Sequence, residues 1–384
     1  MTNYRRILGL CVIACVWMLS EAAWSELTAE EKRSIDDVVQ QEMQQQDAVG
    51  VAIGIIRNGN VTYTAGYGWS DRENKVPVSS ETLFRWASLS KPLTAVAAMQ
   101  LAEQDKLDLD EDVRVSVPEF PDKGTPITMR QLLGHLGGVV HYSNGPVIKT
   151  NRTYDVPHPH QDVILALDRF KESPLVEEPG SKFAYTTHGY ILASAVIQRC
   201  GEESYALQVQ ERIATPLKLT TLRPDYQWEE IPGRAKGYRK RDGQVIPSTN
   251  TDVSWKLGGG GWVSNVDDLA GFAAGLMGDE LVTDESKQIM WTQQSTANGN
   301  MTGYGLGFGV SHQDELSGQM GSQSNEDKLK IAHSGAQEKT RTLMVIYPGQ
   351  RHGIVVMTNS ENANPRKFIA AIDQAINAPQ DTVK

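Results

Sequence analysis

Cysteine is scarce in this chain of 384 residues, which contains only Cys11, Cys15 and Cys200. Cys11 and Cys15 lie in an N-terminal segment that we expect to be removed, and a single remaining cysteine cannot form an internal disulfide. Cys200 follows a helical pattern and precedes Gly201. This position is typical of a structural cysteine at a helix end, so we predict neither a disulfide nor a cysteine nucleophile.

Motifs for phosphate and zinc are also missing. The chain has no GxxxxGK[ST] motif, no zinc-finger spacing and no GxGxxG after a strand, which removes most nucleotide-binding and finger classes. Positive charge is short as well, because 37 Lys and Arg stand against 47 Asp and Glu, a formal net charge of −10. An acidic surface argues against nucleic acid and anionic lipid as partners. We expect a small-molecule or peptide substrate and no cofactor.

The N-terminus carries the signs of an export signal. The apolar run Ile7–Leu19 follows Arg5–Arg6, is short for a membrane span, and precedes small residues within Ala23–Ser25. Residues 1–25 are therefore predicted to be a secretory signal peptide cleaved after Ser25. We expect a periplasmic or secreted protein with no stable membrane insertion. An uncleaved anchor and a lipid anchor on Cys15 remain open, although the apolar residues after Cys15 argue against the second.

Low-complexity tracts are absent and 40% of the residues are hydrophobic, so an ordered chain with a substantial core is predicted. Strand patterns lie near both ends of the chain. One hairpin is predicted over 49–67, with its turn at Asn58-Gly59, and a second over 340–358. We expect the hairpins to share one sheet, with terminal helices at 28–46 and 365–376 packed on it.

The middle of the chain reads as helices joined by loops rich in proline and glycine. Helices are predicted over 129–136, 161–170 and 190–199, with a long irregular loop over 144–160. We interpret residues 115–230 as a mostly helical lobe. A cleft between this lobe and the sheet is a favoured place for a ligand.

Ser88-Leu89-Ser90-Lys91 is the only S-x-x-K sequence in the chain. Residues three apart on a helix share a face, so Lys91 can reach the Ser88 hydroxyl. A serine nucleophile needs a base, and lysine serves as one where burial or nearby positive charge lowers its pKa from about 10.4. The small-residue helix near Pro92 would supply that burial. A chain of this length can also contain one S-x-x-K by chance.

Two further segments carry candidate groups. Tyr185 precedes the clearest helix of the middle section, and a phenol near a cationic lysine can hold a lowered pKa and shuttle a proton. His333-Ser334-Gly335 follows a strand pattern, where a basic residue and a hydroxyl can bind a carboxylate or leaving group. The glycine would let a ligand approach the backbone. Ordinary packing at a helix start and at a strand end explains each segment equally well when it is taken alone.

Other candidates carry less weight. A small ligand-like cluster matches no known zinc spacing, so we predict no metal site there; its members are Asp155, His158, His160 and Asp162. Three tryptophans are candidates for the cleft wall, although core packing is the commoner role of such residues; they are Trp255, Trp262 and Trp291.

Taken together, the three motifs lie in a familiar order. Three segments resemble the serine β-lactamase and penicillin-binding protein superfamily, in its class C β-lactamase-like branch: Ala87–Ala95, Pro179–Tyr185 and His333–Gly335. Flanking segments look particularly like the mitochondrial serine β-lactamase-like protein within that branch: Val117–Pro121, Arg130–His135 and Gly258–Ser264. The similarity runs from about Val49 to about Thr358.

The resemblance implies an α+β fold in residues 26–384, with a mainly antiparallel sheet flanked by helices beside the all-helical lobe. It also implies roles for individual residues. Ser88 would be the acylated nucleophile, Lys91 and Tyr185 would share acid and base work, and His333 would assist. Backbone N–H groups of Ser88 and Ala336 would form the oxyanion hole, and substrate would contact Thr187, Ser334 and Gly335.

One departure from the pattern concerns Thr187. The second motif of the superfamily is often Tyr-x-Asn, whose amide binds an amide of the substrate, and a hydroxyl cannot offer both an amide donor and a carbonyl acceptor. We therefore expect an exported serine hydrolase that cleaves an ester, amide or β-lactam bond, as a carboxylesterase, D-amino-acid peptidase or β-lactamase, with β-lactams hydrolysed less efficiently than esters or peptides. The alternative is a non-catalytic module of the same fold that binds cell-wall peptide or a protein partner.

Overall fold

The computed structural model describes residues 26–312 and 329–377. The predicted signal peptide, with Cys11 and Cys15, lies outside these described residues. The helices are α1 Ala29–Gln46, α2 Ser90–Ala102, α3 Met129–Leu133, α4 Val163–Ala166, α5 Thr187–Cys200, α6 Tyr205–Val209, α7 Leu257–Gly260, α8 Val266–Gly275, α9 Asp284–Met290 and α10 Pro365–Asn377. The strands are β1 Gly50–Arg57, β2 Asn60–Asp71, β3 Val76–Pro77, β4 Phe84–Arg85, β5 Arg223–Pro224, β6 Tyr238–Arg241, β7 Gln244–Pro247, β8 Trp262–Ser264, β9 Gly309–His312, β10 Leu329–Gln337, β11 Thr340–Tyr347 and β12 His352–Thr358.

The main sheet joins the two ends of the chain. Its strand order is β3-β2-β1-β12-β11-β10-β9, and the paired strands are antiparallel. β1 and β12 lie side by side, with Val51 opposite Thr358. The β1–β2 turn holds Asn58 at φ 51° and Gly59 at φ 77°, the left-handed pair that a tight hairpin requires. The prediction that the two hairpins share one mainly antiparallel sheet is confirmed.

Both faces of this sheet are covered by helices. On one face, α1 and α10 pack against each other and bury Ile35 and Phe368 with Val51 and Val356. On the other face, α8 contacts β1, β2 and β12. Every residue of β1 except Arg57 is buried, because the strand is covered on both sides. This explains the unbroken apolar pattern of the segment.

Between β4 and β5 the described chain forms helices and loops and no strand of its own. Here the predicted helix bounds were partly wrong. The helix expected over 129–136 ends at Leu133, because Gly134 follows and His135 takes a left-handed φ of 58°. The helix expected over 161–170 is reduced to α4 and a 3-10 turn, Leu167–Arg169. α5 begins earlier than expected because the Thr186 hydroxyl caps it by accepting the N–H of Gly189 at 3.2 Å. The extent of a separate lobe over 115–230 stays a prediction.

A buried ion pair connects β4 with the chain that leaves the helical section. Asp225 is fully buried, with Oδ2 2.5 Å from Arg85 Nε and Oδ1 3.0 Å from Arg234 Nη2. Arg85 lies three residues before Ser88, so this carboxylate anchors the segment that leads to the candidate nucleophile. Removal of one partner from such a site leaves a buried charge without compensation.

We expect Asp225→Ala to lower the free energy of unfolding by about 3–5 kcal/mol, because Arg85 would remain buried and unpaired. Urea denaturation followed by circular dichroism measures the change. Asp110→Ala is a matched control, since Asp110 pairs with Arg130 at 2.7 Å and its side chain is 62% exposed. The control should cost about 1 kcal/mol or less. Equal losses in the two variants would contradict the anchoring role.

Candidate active site

Ser88 lies in a 3-10 turn, Ala87–Leu89, directly before α2. Backbone contacts hold this turn against the sheet. The Trp86 N–H donates to the Trp262 carbonyl at 2.8 Å, and the Trp86 carbonyl accepts from the Thr342 hydroxyl at 3.0 Å. Ser88 is half-buried while Ala87 and Leu89 on either side of it are buried. Its hydroxyl is therefore positioned by the core and still reached from outside.

The residue before Ser88 has a strained backbone. Ala87 takes a φ of 49°, a left-handed value that costs an L-residue about 1–2 kcal/mol. Strand β10 passes close to this point, since a Cβ added to Gly335 would lie 2.3 Å from the Trp86 carbonyl oxygen. This close approach gives a second reason for a glycine here, and the expectation that Gly335 also leaves room for a ligand stays a prediction. The glycine leaves room for the backbone that carries Ser88.

Lys91, the second residue of α2, is buried and directed at Ser88. Its Nζ lies 3.1 Å from Ser88 Oγ, 3.3 Å from Thr187 Oγ1 and 2.8 Å from the Gly259 carbonyl oxygen. Aromatic faces complete its surroundings, because Nζ is 4.9 Å from the ring centroid of Tyr185. The predicted contact between Ser88 and Lys91 is present in the structure.

Burial sets the protonation state of Lys91. Desolvation of the ammonium lowers the pKa of Lys91 from 10.5 to about 7. No carboxylate in the described ranges 26–312 and 329–377 forms an ion pair with this side chain. Near neutral pH a large fraction of Lys91 is therefore the free amine, which is the form that can take a proton from serine.

The glycine run before β8 supplies one of the Lys91 partners. A Cβ on Gly258 would lie 2.4 Å from the Tyr190 carbonyl oxygen, and one on Gly259 would lie 2.6 Å from Thr187 Cγ2. Glycine at both positions lets α7 pack against α5 and places the Gly259 carbonyl on Lys91. Sequence reasoning gave Gly259 no role, although the run of four glycines was a visible signal.

Tyr185 lies two residues before α5, with its ring centroid 4.9 Å from Lys91 Nζ. The predicted direction of its pKa was wrong. Burial raises the pKa of Tyr185 to about 12, because the phenolate is disfavoured where water is excluded. The nearby lysine does not offset this effect, since the same burial makes Lys91 neutral. Tyr185 is thus a phenol that can donate and relay a proton, and not a phenolate base.

Thr187 faces Lys91. Its side chain is buried, and its hydroxyl lies 3.3 Å from Lys91 Nζ. The backbone N–H of Thr187 donates to Nδ1 of His141 at 3.1 Å. The residue at the third position of the second motif is therefore a neighbour of Lys91, and its contact with substrate stays a prediction.

His333 is buried, and both of its ring nitrogens have partners. Nδ1 lies 2.9 Å from the Ser334 carbonyl oxygen, which can only accept, so Nδ1 carries the hydrogen. Nε2 then accepts from the Tyr304 hydroxyl at 2.8 Å. Burial, together with the charge of Lys91, lowers the pKa of His333 to about 3. The ring is therefore neutral at neutral pH and offers no charge to a carboxylate, and the assisting role that the resemblance implies for His333 stays a prediction.

The remaining residues of the third motif lie further along β10. Ser334 and Ala336 are exposed, whereas Gly335 between them is buried. Ala336 follows the glycine that contacts the Trp86 backbone, so the two backbone groups predicted for the oxyanion hole belong to adjoining segments. Their part in binding an oxyanion, and the contact of Ser334 and Gly335 with substrate, stay predictions.

His135 is a site residue that sequence reasoning missed. It is fully buried at a left-handed φ of 58°, and its Nδ1 accepts the N–H of Thr186 at 3.2 Å. Its ring centroid lies 4.2 Å from that of Tyr185. His135 therefore fixes the start of α5 and the position of the phenol. The only signal in the sequence was that His135 ends the segment Arg130–His135, which resembles the superfamily but assigned no role to this histidine.

The weaker candidates have other roles. His158 stacks on Trp228 at 3.6 Å between ring centroids, and Asp162 caps α4 by accepting the N–H of Ile164 at 2.9 Å. Of the three tryptophans, Trp262 is fully buried and Trp291 packs against the core. Trp255 lines a cleft beside the active site. Cys200 ends α5, as predicted, with Sγ 3.4 Å from Ser116 Oγ.

The described residues show neither a metal-binding cluster nor a helix that could span a membrane. Over 26–312 and 329–377, no cluster of three or more His, Cys, Asp or Glu side chains is placed to hold a metal ion. No helix within the same ranges has the length and apolar character needed to cross a membrane.

Comparison with known proteins agrees with this geometry. The sequence model of the Beta-lactamase family matches residues 35–377, so the chain belongs to that family. The human mitochondrial serine beta-lactamase-like protein LACTB is 25% identical over 85% of this chain and 73% of its own length. The alignment with the mouse protein is 28% identical and covers 60% of this chain but 54% of that protein.

Solved structures share the fold. The octameric penicillin-binding protein homologue from Pyrococcus abyssi superposes with a TM-score of 0.72 at 24% identity, covering 89% of this chain and 76% of that one. EstCE1, described as a hydrolase with promiscuous acyltransferase activity, gives a TM-score of 0.74 at 23% identity over 90% of this chain and 98% of its own. The predicted α+β, β-lactamase-like fold is confirmed.

The pKa values of Lys91 and Tyr185 predict the pH dependence of the first chemical step. For an ester substrate, kcat/KM should rise tenfold per pH unit below about 7 as Lys91 loses its proton. It should then stay level to about pH 10, because the phenol of Tyr185 titrates near 12. Initial rates at substrate concentrations far below KM give the profile.

Two variants separate these assignments. Lys91→Arg carries a guanidinium that cannot be deprotonated, so it should be inactive at every pH. Tyr185→Phe should lower the plateau about 100-fold or more and leave the limb near pH 7 in place. A profile in which Tyr185→Phe abolishes the limb would assign that limb to the phenol and refute our assignment.

Proposed function

We propose that this protein is a serine hydrolase that forms an acyl-enzyme on Ser88. The observation that supports this most directly is the contact between a half-exposed serine hydroxyl and a buried lysine whose pKa is near 7. A buried cation without a counter-ion destabilises a fold. A role in proton transfer gives a reason for this arrangement, which packing alone would not favour.

The proposed reaction has two halves. Lys91 takes the proton of Ser88 as Oγ bonds to the substrate carbonyl carbon, and the oxyanion that forms is stabilised by backbone N–H groups. The bond to the leaving group then breaks, and the lysine proton passes through Tyr185 to the leaving oxygen or nitrogen. In the second half Lys91 takes a proton from water as the water oxygen bonds to the acyl carbon. The bond from that carbon to Ser88 Oγ then breaks, Oγ receives the proton, and the acid is released.

We further propose esters or amides as substrates rather than β-lactams. Thr187 is occupied by its contact with Lys91 and offers no amide to a substrate. EstCE1 and the D-amino acid amidase from Ochrobactrum anthropi share this fold, the latter at a TM-score of 0.72 and 20% identity. These likenesses concern the fold alone, so the class of acyl donor is the part of the proposal that most needs a test.

A fluorophosphonate should label the wild-type protein at Ser88, because the activated hydroxyl attacks phosphorus as it attacks a carbonyl. Intact mass should show one adduct, and peptide mapping should place it on Ser88. Ser88→Ala should show neither the adduct nor ester hydrolysis. Ser90→Ala is the control, because Ser90 lies two residues away and its hydroxyl is buried, and this variant should retain both.

Turnover of p-nitrophenyl butyrate should exceed turnover of nitrocefin when kcat/KM values are compared. A strong preference for nitrocefin would refute the substrate assignment and leave the nucleophile intact. A folded protein with no adduct and no turnover of esters, amides or nitrocefin would instead favour the non-catalytic binding module.

We also propose that the protein is exported. The support is the sequence of residues 1–25 alone, which lie outside the described structure. Purification from the native host followed by intact-mass analysis should find Glu26 as the first residue. A first residue at Met1 would refute cleavage, and a lipid adduct on Cys15 would establish the lipid anchor in its place.

A further inference from the structure

A second cleft opens beside the catalytic residues. We call it the flanking pocket; its volume is about 240 Å³ and its wall is formed by Tyr142, Val147, Lys149, Arg169, His188 and Trp255. Trp255, Arg169 and Lys149 are partly or fully exposed. The mechanism proposed above uses none of these six residues.

The flanking pocket is continuous with the active site on two sides. Tyr142 follows His141, whose Nδ1 accepts the N–H of Thr187 at 3.1 Å, and the Thr187 hydroxyl lies 3.3 Å from Lys91 Nζ. Trp255 and Lys256 directly precede α7, whose Gly259 carbonyl contacts the same Nζ at 2.8 Å. A molecule held in this pocket would therefore place another of its groups near Ser88.

Two cations border the flanking pocket without a counter-ion. The Arg169 guanidinium lies 4.3 Å from the Trp255 ring centroid, and Lys256 Nζ lies 5.8 Å from that centroid and 5.9 Å from that of Tyr142. Within the described ranges neither side chain forms an ion pair or a hydrogen bond. Burial lowers the pKa of Lys256 to about 8, so the group is desolvated and still mostly charged at neutral pH.

The nearest carboxylates do not neutralise these cations. Asp252 Oδ1 accepts the N–H of Ser254 at 2.9 Å, and Glu338 Oε2 accepts the hydroxyl of Thr251 at 3.3 Å. Asp252 partly offsets the effect of burial on the pKa of Arg169, and Glu338 does the same for Lys256, but neither carboxylate forms an ion pair with its cation. With Lys149 on the wall, three cations face two engaged carboxylates in a chain whose net charge is −10.

The rest of the wall is aromatic or apolar. His188 stacks on Phe170 with ring centroids 4.6 Å apart, and burial lowers the pKa of His188 to about 4, so it presents a neutral face. Tyr142 and Trp255 lie close to this ring and to each other, with centroids 5.4 and 5.9 Å from it and 6.4 Å apart. Val147 adds an aliphatic surface. Such a wall suits a flat or apolar body and is open to a charged end at the cations.

We propose that the flanking pocket is a substrate subsite for a carboxylate carried on an aromatic or apolar group. The inference rests on the proposed function, because it names the class of substrate that would transfer its acyl group to Ser88. The neutral state of His333 supports it, since that residue supplies no charge to hold an anion. The unpaired cations near the active site are instead Lys256 and Arg169.

Matched ester pairs test the subsite. One pair places the charge on the acyl side: p-nitrophenyl 4-carboxybenzoate against p-nitrophenyl 4-(methoxycarbonyl)benzoate. The other places it on the leaving group: 4-acetoxybenzoate against methyl 4-acetoxybenzoate. We expect one anionic member to exceed its neutral partner in kcat/KM about tenfold or more, mainly through KM. The pair that responds shows which side of the scissile bond occupies the pocket.

Variants assign the preference to the pocket. Lys256→Met and Arg169→Met should each remove most of the preference and change the neutral esters less than threefold. Lys106→Met is the matched control, since Lys106 is exposed and follows the far end of α2 from Lys91. It should leave both values unchanged. No charge preference in the wild type, or an equal preference in Lys256→Met, would overturn the subsite.

Binding separates this inference from the proposed function. Calorimetric titration with 4-methoxybenzoate, and with neutral 4-methoxybenzamide, needs no turnover. Tighter binding of the anion in wild type than in Lys256→Met would support the pocket even if no ester were hydrolysed. Hydrolysis of neutral esters by a protein that binds both ligands equally would refute the pocket and leave the serine hydrolase intact.

Discussion

The active site depends on the burial of one lysine without a counter-ion. Ion pairing would restore the ordinary pKa of Lys91 and remove its capacity as a base, so the fold has to satisfy the amine with neutral partners. The Gly259 carbonyl, the Thr187 hydroxyl and the Ser88 hydroxyl do so at 2.8 to 3.3 Å. The histidines around the site are neutral for the same reason, because burial and the nearby lysine lower the pKa of His135, His141 and His333.

Burial acts in opposite directions on the pKa values of the two residues to which we assign proton transfer, Lys91 and Tyr185. It lowers the pKa of Lys91 to about 7 and raises that of Tyr185 to about 12, since each group loses its charged form. Near neutral pH the site therefore holds a lysine that is largely a free amine and a neutral phenol, both close to one serine. A base and an acid are thus present together at neutral pH, although neither group has a charged partner. If the phenol of Tyr185 gave its proton to the amine of Lys91, the assignment of Lys91 as base and Tyr185 as acid would be less clear.

The sequence predicted the parts of the fold that local patterns determine. Apolar runs and the Asn58-Gly59 turn located the hairpins, and the three-residue spacing placed Ser88 and Lys91 on one face. Contacts between distant segments could not be read in this way. The left-handed Ala87 and the packing role of Gly335 depend on β10 crossing the turn before α2. These two residues are 248 positions apart in the sequence. His135 and Gly259 likewise matter through neighbours that only the folded chain supplies.

The direction of the pKa shift of Tyr185 could not be predicted from the sequence. The sequence places a phenol near a lysine, and an ordinary lysine would stabilise the phenolate. Which effect dominates depends on how much water reaches the pair, and burial is a property of the whole packed structure. The same reasoning explains His333. The sequence shows only a basic residue, whereas in the structure the ring is buried and neutral, and its Nε2 accepts a hydrogen bond. Because the groups at the centre of the site are neutral, an anionic part of a substrate would be attracted by cations at the edge of the site. Lys256 and Arg169 lie at that edge.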